Sequence, residues 1–199
     1  MTRPRWRFIG HTLLCLIWGV GVIIGLYQIA AYSNSPAAVL PQPRQWPGDT
    51  RIPLARDRAT LLVTLHPHCV CSRATVEELS RLLAQVPVPV RVEVLLYQPD
   101  GASESWTQSS LAIQARSLPG VIVRVDPKGL ESARFGISVS GHTALYAPDG
   151  RLLFSGGITR ARGHAGDNAG RAAIVSMLSN RQPAVSATPV FGCSIRDHS

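Results

Sequence analysis

Between Leu61 and Leu83 the chain reads LLVTLHPHCVCSRATVEELSRLL, and no other stretch restricts its folding as tightly. Leu61-Leu62-Val63-Thr64-Leu65 is an apolar run of the length and composition of a buried strand. It stops at Pro67, and Cys69 and Cys71 follow at once. Val76, Leu79, Leu82, Leu83 and Val86 then recur at helical spacing, with Glu77, Glu78 and Arg81 between them, which predicts an amphipathic helix. The cysteine pair therefore stands at a strand-to-helix junction, where a first helical turn offers unpaired N–H groups and partial positive charge. Such a place stabilises a thiolate and lowers its pKa. Two cysteines one residue apart at that point indicate redox or metal chemistry rather than core filling.

The chain has 199 residues, enough for one domain with a sizeable core and too few for two comfortable ones. Its formal net charge of +8 comes almost wholly from arginine, because Lys128 is the only lysine. The basic residues are scattered and lack the basic-aromatic stripe that a nucleic-acid surface needs, so no nucleic-acid partner is expected. Their charge is read as serving solubility.

Phe8 to Tyr32 is apolar apart from His11, Thr12 and Gln28. A hydrocarbon core of roughly 30 Å needs about 20 such residues. Arg3, Arg5 and Arg7 precede the run, no arginine follows until Arg44, and every acid lies after it. The positive-inside rule then keeps the N-terminus in the cytoplasm and exports the rest. The expected organisation is a cytoplasmic basic tip (1–7), a transmembrane anchor (8–32), a proline-rich tether (33–57) that holds the domain off the membrane, a folded domain (58–181) and a tail carrying Cys193 (182–199). The competing reading of the run is a signal peptide cut at Ala31-Tyr32-Ser33; its length exceeds an ordinary signal core and favours an uncleaved anchor. Cys15 falls inside it and is read as an apolar side chain.

After the cysteine helix, Val88 to Tyr97 alternates as a strand and ends at the turn Pro99-Asp100-Gly101. Ser103 to Ser117 reads as helical with Ser103 as N-cap, Val121 to Val125 as a strand, and Leu130 to Phe135 as a short helix. Thr143 to Ala147 and Leu152 to Ser155 flank Pro148-Asp149-Gly150, a hairpin signal. A last helix begins near Asp167 or Asn168 and carries Ile174, Val175, Met177 and Leu178. The sum is an α/β order with a mixed sheet. Three stretches carry a likeness to a known fold: Leu61 to Leu83, the segment Asp126-Pro127-Lys128-Gly129 through Phe135-Gly136-Ile137, and the hairpin around Asp149-Gly150. From Arg58 to Asn180 the chain resembles the thioredoxin fold in its membrane-anchored, TlpA-like form. With HPHCVCS, GHTALY and RGHAGDNAGR it is similar to the anchored bacterial RedB-type proteins. The resemblance implies a three-layer α/β/α domain with a mixed central sheet, preceded by one transmembrane helix, and thiol-disulfide exchange at the cysteines. Two positions depart from the pattern. The family's Cys-x-x-Cys is Cys69-Val70-Cys71 here, and His142 stands, ahead of Thr143, where the family has a cis-proline facing the cysteines.

Several other residues are candidates for the site. A Cys-x-Cys disulfide closes a small strained ring, easily reduced and of little structural value, which favours a functional pair. His68 would lower the thiolate pKa when charged; His66 reads as packed at a strand end. His142 and Thr143 are expected to line the site. The long loop Gly156 to Asn168 should begin beside it, bringing His164 within reach and offering Arg160 and Arg162 to an acidic partner, while Asp167 or Asn168 caps the last helix. Cys193 has enough extended chain behind it to return to the pair. A free thiol in an exported protein is a liability, so a partner for it is expected over a frayed end.

The expected function is an anchored thiol-disulfide oxidoreductase of the bacterial inner membrane, its domain in the periplasm. Cys69 would attack, Cys71 would resolve, and Cys193 would act as a third thiol; no cofactor is needed, and the partners are protein thiols or disulfides. A rival from another class is a Sco-like copper protein holding Cu(I) through Cys69, Cys71 and His142. A further rival is a redox-inactive peptide-binding module.

Overall fold

The computed structural model describes residues 5–195, so the expected basic tip lies largely outside the described residues. The chain forms two compact units, divided after Ser35. The first is one helix, α1 (Arg5–Ser33). Its Gly10–Ser33 portion has a mean hydropathy of 2.2 and is long and apolar enough to cross a membrane, by length and composition.

The second unit is built on a five-stranded sheet in the order β3-β2-β1-β4-β5. Its strands are β1 (Thr60–Leu65), β2 (Arg91–Gln98), β3 (Val121–Pro127), β4 (His142–Tyr146) and β5 (Leu152–Gly157). β1 pairs parallel with β2, and β2 with β3, while β4 runs antiparallel to both β1 and β5. The helices are α2 (Val70–Gln85), α3 (Ser110–Arg116), α4 (Leu130–Arg134) and α5 (Ala169–Leu178). A central β1 has both faces covered, which is why all six of its residues are buried and its sequence does not alternate. Leu61, Val63 and Leu65 join Val76, Leu79 and Leu82 of α2, Leu111 of α3 and Ile174 of α5 in one core. Leu62 faces the other way, into a second core with Leu95, Phe135, Ala144 and Tyr146. Helices thus lie on both faces of a mixed sheet, and the architecture is thioredoxin-like.

Local chemistry sets the boundaries. Ser109, not Ser103, caps α3: its side chain accepts the Ala112 N–H, and the expected single helix is a 3₁₀ turn (Glu104–Thr107) followed by α3. Asn168 caps α5 by accepting the Arg171 N–H at 2.8 Å. Buried Asp126 does the same for α4, accepting from Glu131 N, Ser132 N and Ser132 Oγ.

The proline-rich segment corrects the expectation of a tether. Trp46 stands edge-on to Phe135 at 4.8 Å and to Tyr146 at 5.0 Å. Ile52 is buried in the second core, Gln45 bridges to Arg151, and the Tyr146 hydroxyl donates to Pro43 O. Prolines deny the segment a regular ladder but leave its apolar side chains free to pack, and Trp46 and Ile52 do so.

Candidate functional site

Central β1 ends at Leu65, and the turn from its C-terminal end into α2 is closed by local bonds. The His66 N–H donates to Ser72 Oγ at 2.9 Å, the Cys69 N–H donates to His66 O at 3.2 Å, and the His68 N–H donates to His66 Nδ1 at 3.2 Å. Cys69 is the N-cap residue of α2, with extended backbone, and Cys71 lies within the first turn. Both are buried.

Cys193 completes the group. The Sγ atoms of Cys69, Cys71 and Cys193 all lie within 4.8 Å of one another, and those of Cys69 and Cys193 are 2.9 Å apart. A disulfide needs about 2.05 Å, so bond formation asks for a movement of less than an ångström or so. The tail reaches this point by following the sheet. Ala187 bridges parallel to Ser155 on the outer edge of β5, and Ser194 bridges antiparallel to Val139 just before β4. Gly192 permits the approach, because a Cβ there would lie 1.8 Å from Ser140 O.

The three sulfurs are electrostatically unequal. The Cys69 thiol is held down to about 4, chiefly by the Cys71 S–H donated to it; Cys193, the Ser72 N–H of the first turn and Ser140 Oγ at 3.6 Å add to this against a desolvation cost. The same hydrogen bond pushes Cys71 far up, with burial second. Burial raises Cys193 to about 11, followed by the hydrogen bond to Cys69. One thiolate and two thiols is therefore the resting state of the reduced site.

The other expected site residues fall in different places. His142 is 1% exposed, and its Nε2 meets Ser155 Oγ at 2.8 Å, which in turn donates to Gln42 Oε1 at 2.6 Å. Strand alternation gives it the parity of Ala144 and Tyr146, the second core, whereas α2 covers the first. It stands outside the three-sulfur group, which corrects the expectation that it faces the pair and shares a metal set with Cys69 and Cys71. The parity is fixed by burying Leu145 against the first core. Burial holds His142 neutral, with its pKa lowered to about 4. The described residues contain no cis peptide bond. Thr143 is buried between β1 and β5, paired with Val63 and Gly156. His68 is exposed, its ring against Trp106 at 4.4 Å, on a groove of about 380 Å³ that also includes Cys69, Val70 and Arg73. His164 is exposed too, and its Nδ1 meets Arg162 O at 2.7 Å within its own turn.

The loop does reach the site, through other groups. The Gly163 N–H donates to Cys71, and Arg162 donates to Gly192 O and lends its charge to Cys193. Buried Glu78 of α2 holds the loop there, accepting from Gly166 N at 2.8 Å and Asn168 Nδ2 at 2.9 Å and pairing with Arg171 Nε at 2.9 Å. Ser140 was not foreseen. Its Oγ donates to Cys69 and accepts the Cys193 N–H at 3.0 Å, a role visible only once the tail is in place.

No family model and no curated protein sequence matches the chain. Solved structures do. An uncharacterised conserved protein from Geobacillus kaustophilus is 18% identical with a TM-score of 0.57, over 82% of this chain and 92% of that one. A hypothetical protein from Sinorhizobium meliloti is 16% identical with a TM-score of 0.53, over 82% and 96%. A secreted disulfide oxidoreductase from Mycobacterium tuberculosis is 17% identical with a TM-score of 0.47, over 64% and 84%. At these identities the likeness is one of fold.

Proposed function

We propose that this chain is a membrane-anchored thiol-disulfide oxidoreductase of the TlpA-like, RedB-type kind, acting on protein thiols and disulfides on the exported side of the bacterial inner membrane. The observation that carries the reading is the low-pKa Cys69 thiolate within bonding reach of a second sulfur. In the reductive direction the Cys69 thiolate attacks one sulfur of a partner disulfide. The partner's other sulfur leaves with the electron pair and takes up a proton. Cys71 or Cys193, losing its proton, then attacks Cys69 Sγ and releases the partner's second thiol. Two electrons pass from the protein dithiol to the partner, and the protein ends as a disulfide. A reduced dithiol donor must restore it, and the relative potentials set the net direction. Arg3, Arg5 and Arg7 ahead of the apolar run Phe8 to Tyr32, with no further arginine until Arg44, support an N-terminus in the cytoplasm and a periplasmic domain.

The decisive experiment maps non-reduced tryptic peptides. Arg73 and Arg181 put the pair and Cys193 on separate peptides. A crosslink between Cys193 and Cys69, exchanging with reduced glutathione, is the expected result; a Cys193 that is always free, with Cys193→Ser leaving insulin reduction unchanged, removes the tail from the reaction. A phosphatase fusion after Pro53 should be active if the domain is exported.

One observation favours a second reading. A metal held by three sulfurs at about 2.3 Å needs them about 4 Å apart; the Sγ atoms of Cys69, Cys71 and Cys193 lie within 4.8 Å of one another, and Cys69 and Cys193, at 2.9 Å, would have to spread to accept it. Thiolates suit Cu(I). The fit is with Cys193 in place of His142. Copper analysis after anaerobic Cu(I) loading tests it: one copper per chain, lost in Cys193→Ser, would put metal handling ahead of thiol exchange.

A further inference from the structure

Cys69 is the strongest nucleophile of the site and is only 7% exposed. On the side away from the His68 groove, the tail sets the Cys193 sulfur 2.9 Å from it. A partner protein's sulfur cannot reach Cys69 along the line that Cys193 occupies unless residues 191–195 first move away. The way the tail is held shows what replaces it. The Ser140 N–H donates to Cys193 O at 2.8 Å, the Ile195 N–H donates to Ser138 O at 3.0 Å, Ser140 Oγ accepts the Cys193 N–H, and Arg162 binds Gly192 O. All of these address the main chain, so they suit any extended segment. Two positions are read by side chain. Nothing larger than glycine fits before the cysteine, given Ser140 O at 1.8 Å from an added Cβ. Ile195, two residues after the cysteine, is 1% exposed in the second core.

The tail is also fastened in two separate parts. Upstream, Ser186, Thr188 and Pro189 bond to Ser155 and Gly157 of β5, and Val190 O accepts the Ala37 N–H at 2.8 Å. Downstream, residues 191–195 are held by the contacts just described, by the bridge of Ser194 to Val139 and by the Cys193 sulfur against Cys69. Release can therefore stop at Val190 and leave the β5 edge covered.

From these contacts we propose that the seat under residues 191–195 is a recognition site for an extended cysteine-bearing segment of a partner protein, with glycine before the cysteine and an apolar residue two after it. The tail is its resident occupant. The inference rests on the thiol-exchange reading and names its substrate class. Strand exchange places the partner's sulfur over Cys69. The return of the tail afterwards brings Cys193 to the same sulfur and expels the partner as a thiol. The seat is thus both the point of selection and the point of resolution, and occupation by one strand excludes the other.

The test uses the reduced full chain with Cys71→Ser and Cys193→Ser, so that adducts at Cys69 persist. The probe is the hexapeptide Val-Phe-Gly-Cys-Ser-Ile with its cysteine as a mixed disulfide to 2-thiopyridone. The Cys69 thiolate attacks the peptide sulfur, the probe's disulfide breaks, and 2-thiopyridone leaves with the electron pair, read by its absorbance. Adding Gly192→Val should evict the tail and speed the reaction at least tenfold. In that evicted chain a probe with valine before the cysteine, or aspartate in place of the isoleucine, should react at least tenfold more slowly than the parent probe. If the evicted chain fails to fold, a chain ending at Val190 is measured in the same way. Equal rates for the three probes overturn the seat. 2,2′-Dithiodipyridine separates the two readings. If it labels Cys69 readily while the peptides are not distinguished, only the seat is lost; if it fails to label Cys69, thiol exchange and the seat fall together.

Discussion

Two segments bring sulfur to one point by different physics. The start of α2 presents Cys69 with the Cys71 S–H, the Ser72 N–H and Ser140 Oγ directed at it, and these donors outweigh the cost of burial and leave it a thiolate. The tail presents Cys193 by main-chain pairing and apolar anchoring, where burial dominates and the sulfur stays protonated. Burial is common to both, so it does not decide the charge. The number of donors aimed at each sulfur does. The difference gives the site its order of events, since the sulfur with more donors attacks and the one with fewer waits.

Replacing Cys69 by serine breaks the comparison most completely. Iodoacetamide labelling of the site at pH 6 should fall at least a hundredfold, because burial still raises Cys71 and Cys193 when Cys69 is gone. Rapid labelling of Cys71 or Cys193 in that variant would mean that the donors serve the site as a whole. The wild-type labelling rate should stay level from pH 8 down to about 5 and decline as pH falls through about 4.

A second comparison sets the tail beside the other proline-rich segment. Trp46 is to residues 36–58 what Ile195 is to the tail, an apolar anchor on the second core. Trp46→Ala should lower unfolding stability by about 2–4 kcal/mol, read as a fall in urea midpoint at unchanged slope. A loss below about 0.5 kcal/mol would return the segment to the role of a tether.

His142 sharpens the argument about burial without donors. Its folded pKa lies near 4, below the ordinary value of 6.5, so the unfolded chain binds more protons between those values. Stability should therefore be highest above pH 6.5 and be lost as pH falls towards 4, by up to about 3 kcal/mol. His142→Gln should flatten that part of the stability curve while leaving the Cys69 labelling rate alone. An unchanged slope would assign the acid sensitivity to the buried carboxylates.

The smallest effect is expected at Ser140. Ser140→Ala removes one donor from Cys69 and the acceptor for the Cys193 N–H. A lost hydrogen bond of about 1 kcal/mol shifts the Cys69 pKa upward by less than one unit. A shift of two units or more would make Ser140, rather than the helix start, the main support of the thiolate.

Local patterns in the chain were enough to establish the strand, the cysteine junction and the amphipathic helix of α2, because periodicity, the Pro67 stop and helix-end chemistry act over a few residues. The hairpin around Asp149-Gly150 and the Asn168 cap were legible for the same reason, and the apolar length of α1 needed no partner to be recognised. Cys193 was within reach by chain length alone, but its seat was not, since that depends on β5, Val139 and Ser140, which only the folded sheet brings alongside. The same holds for the packing of Trp46 and for the outward turn of His68 and His164. His142 shows the limit most sharply. Its position at the start of β4 was readable, but the face it occupies follows from which neighbours on β4 are buried against α2, and that is settled by the packing of two cores on one sheet.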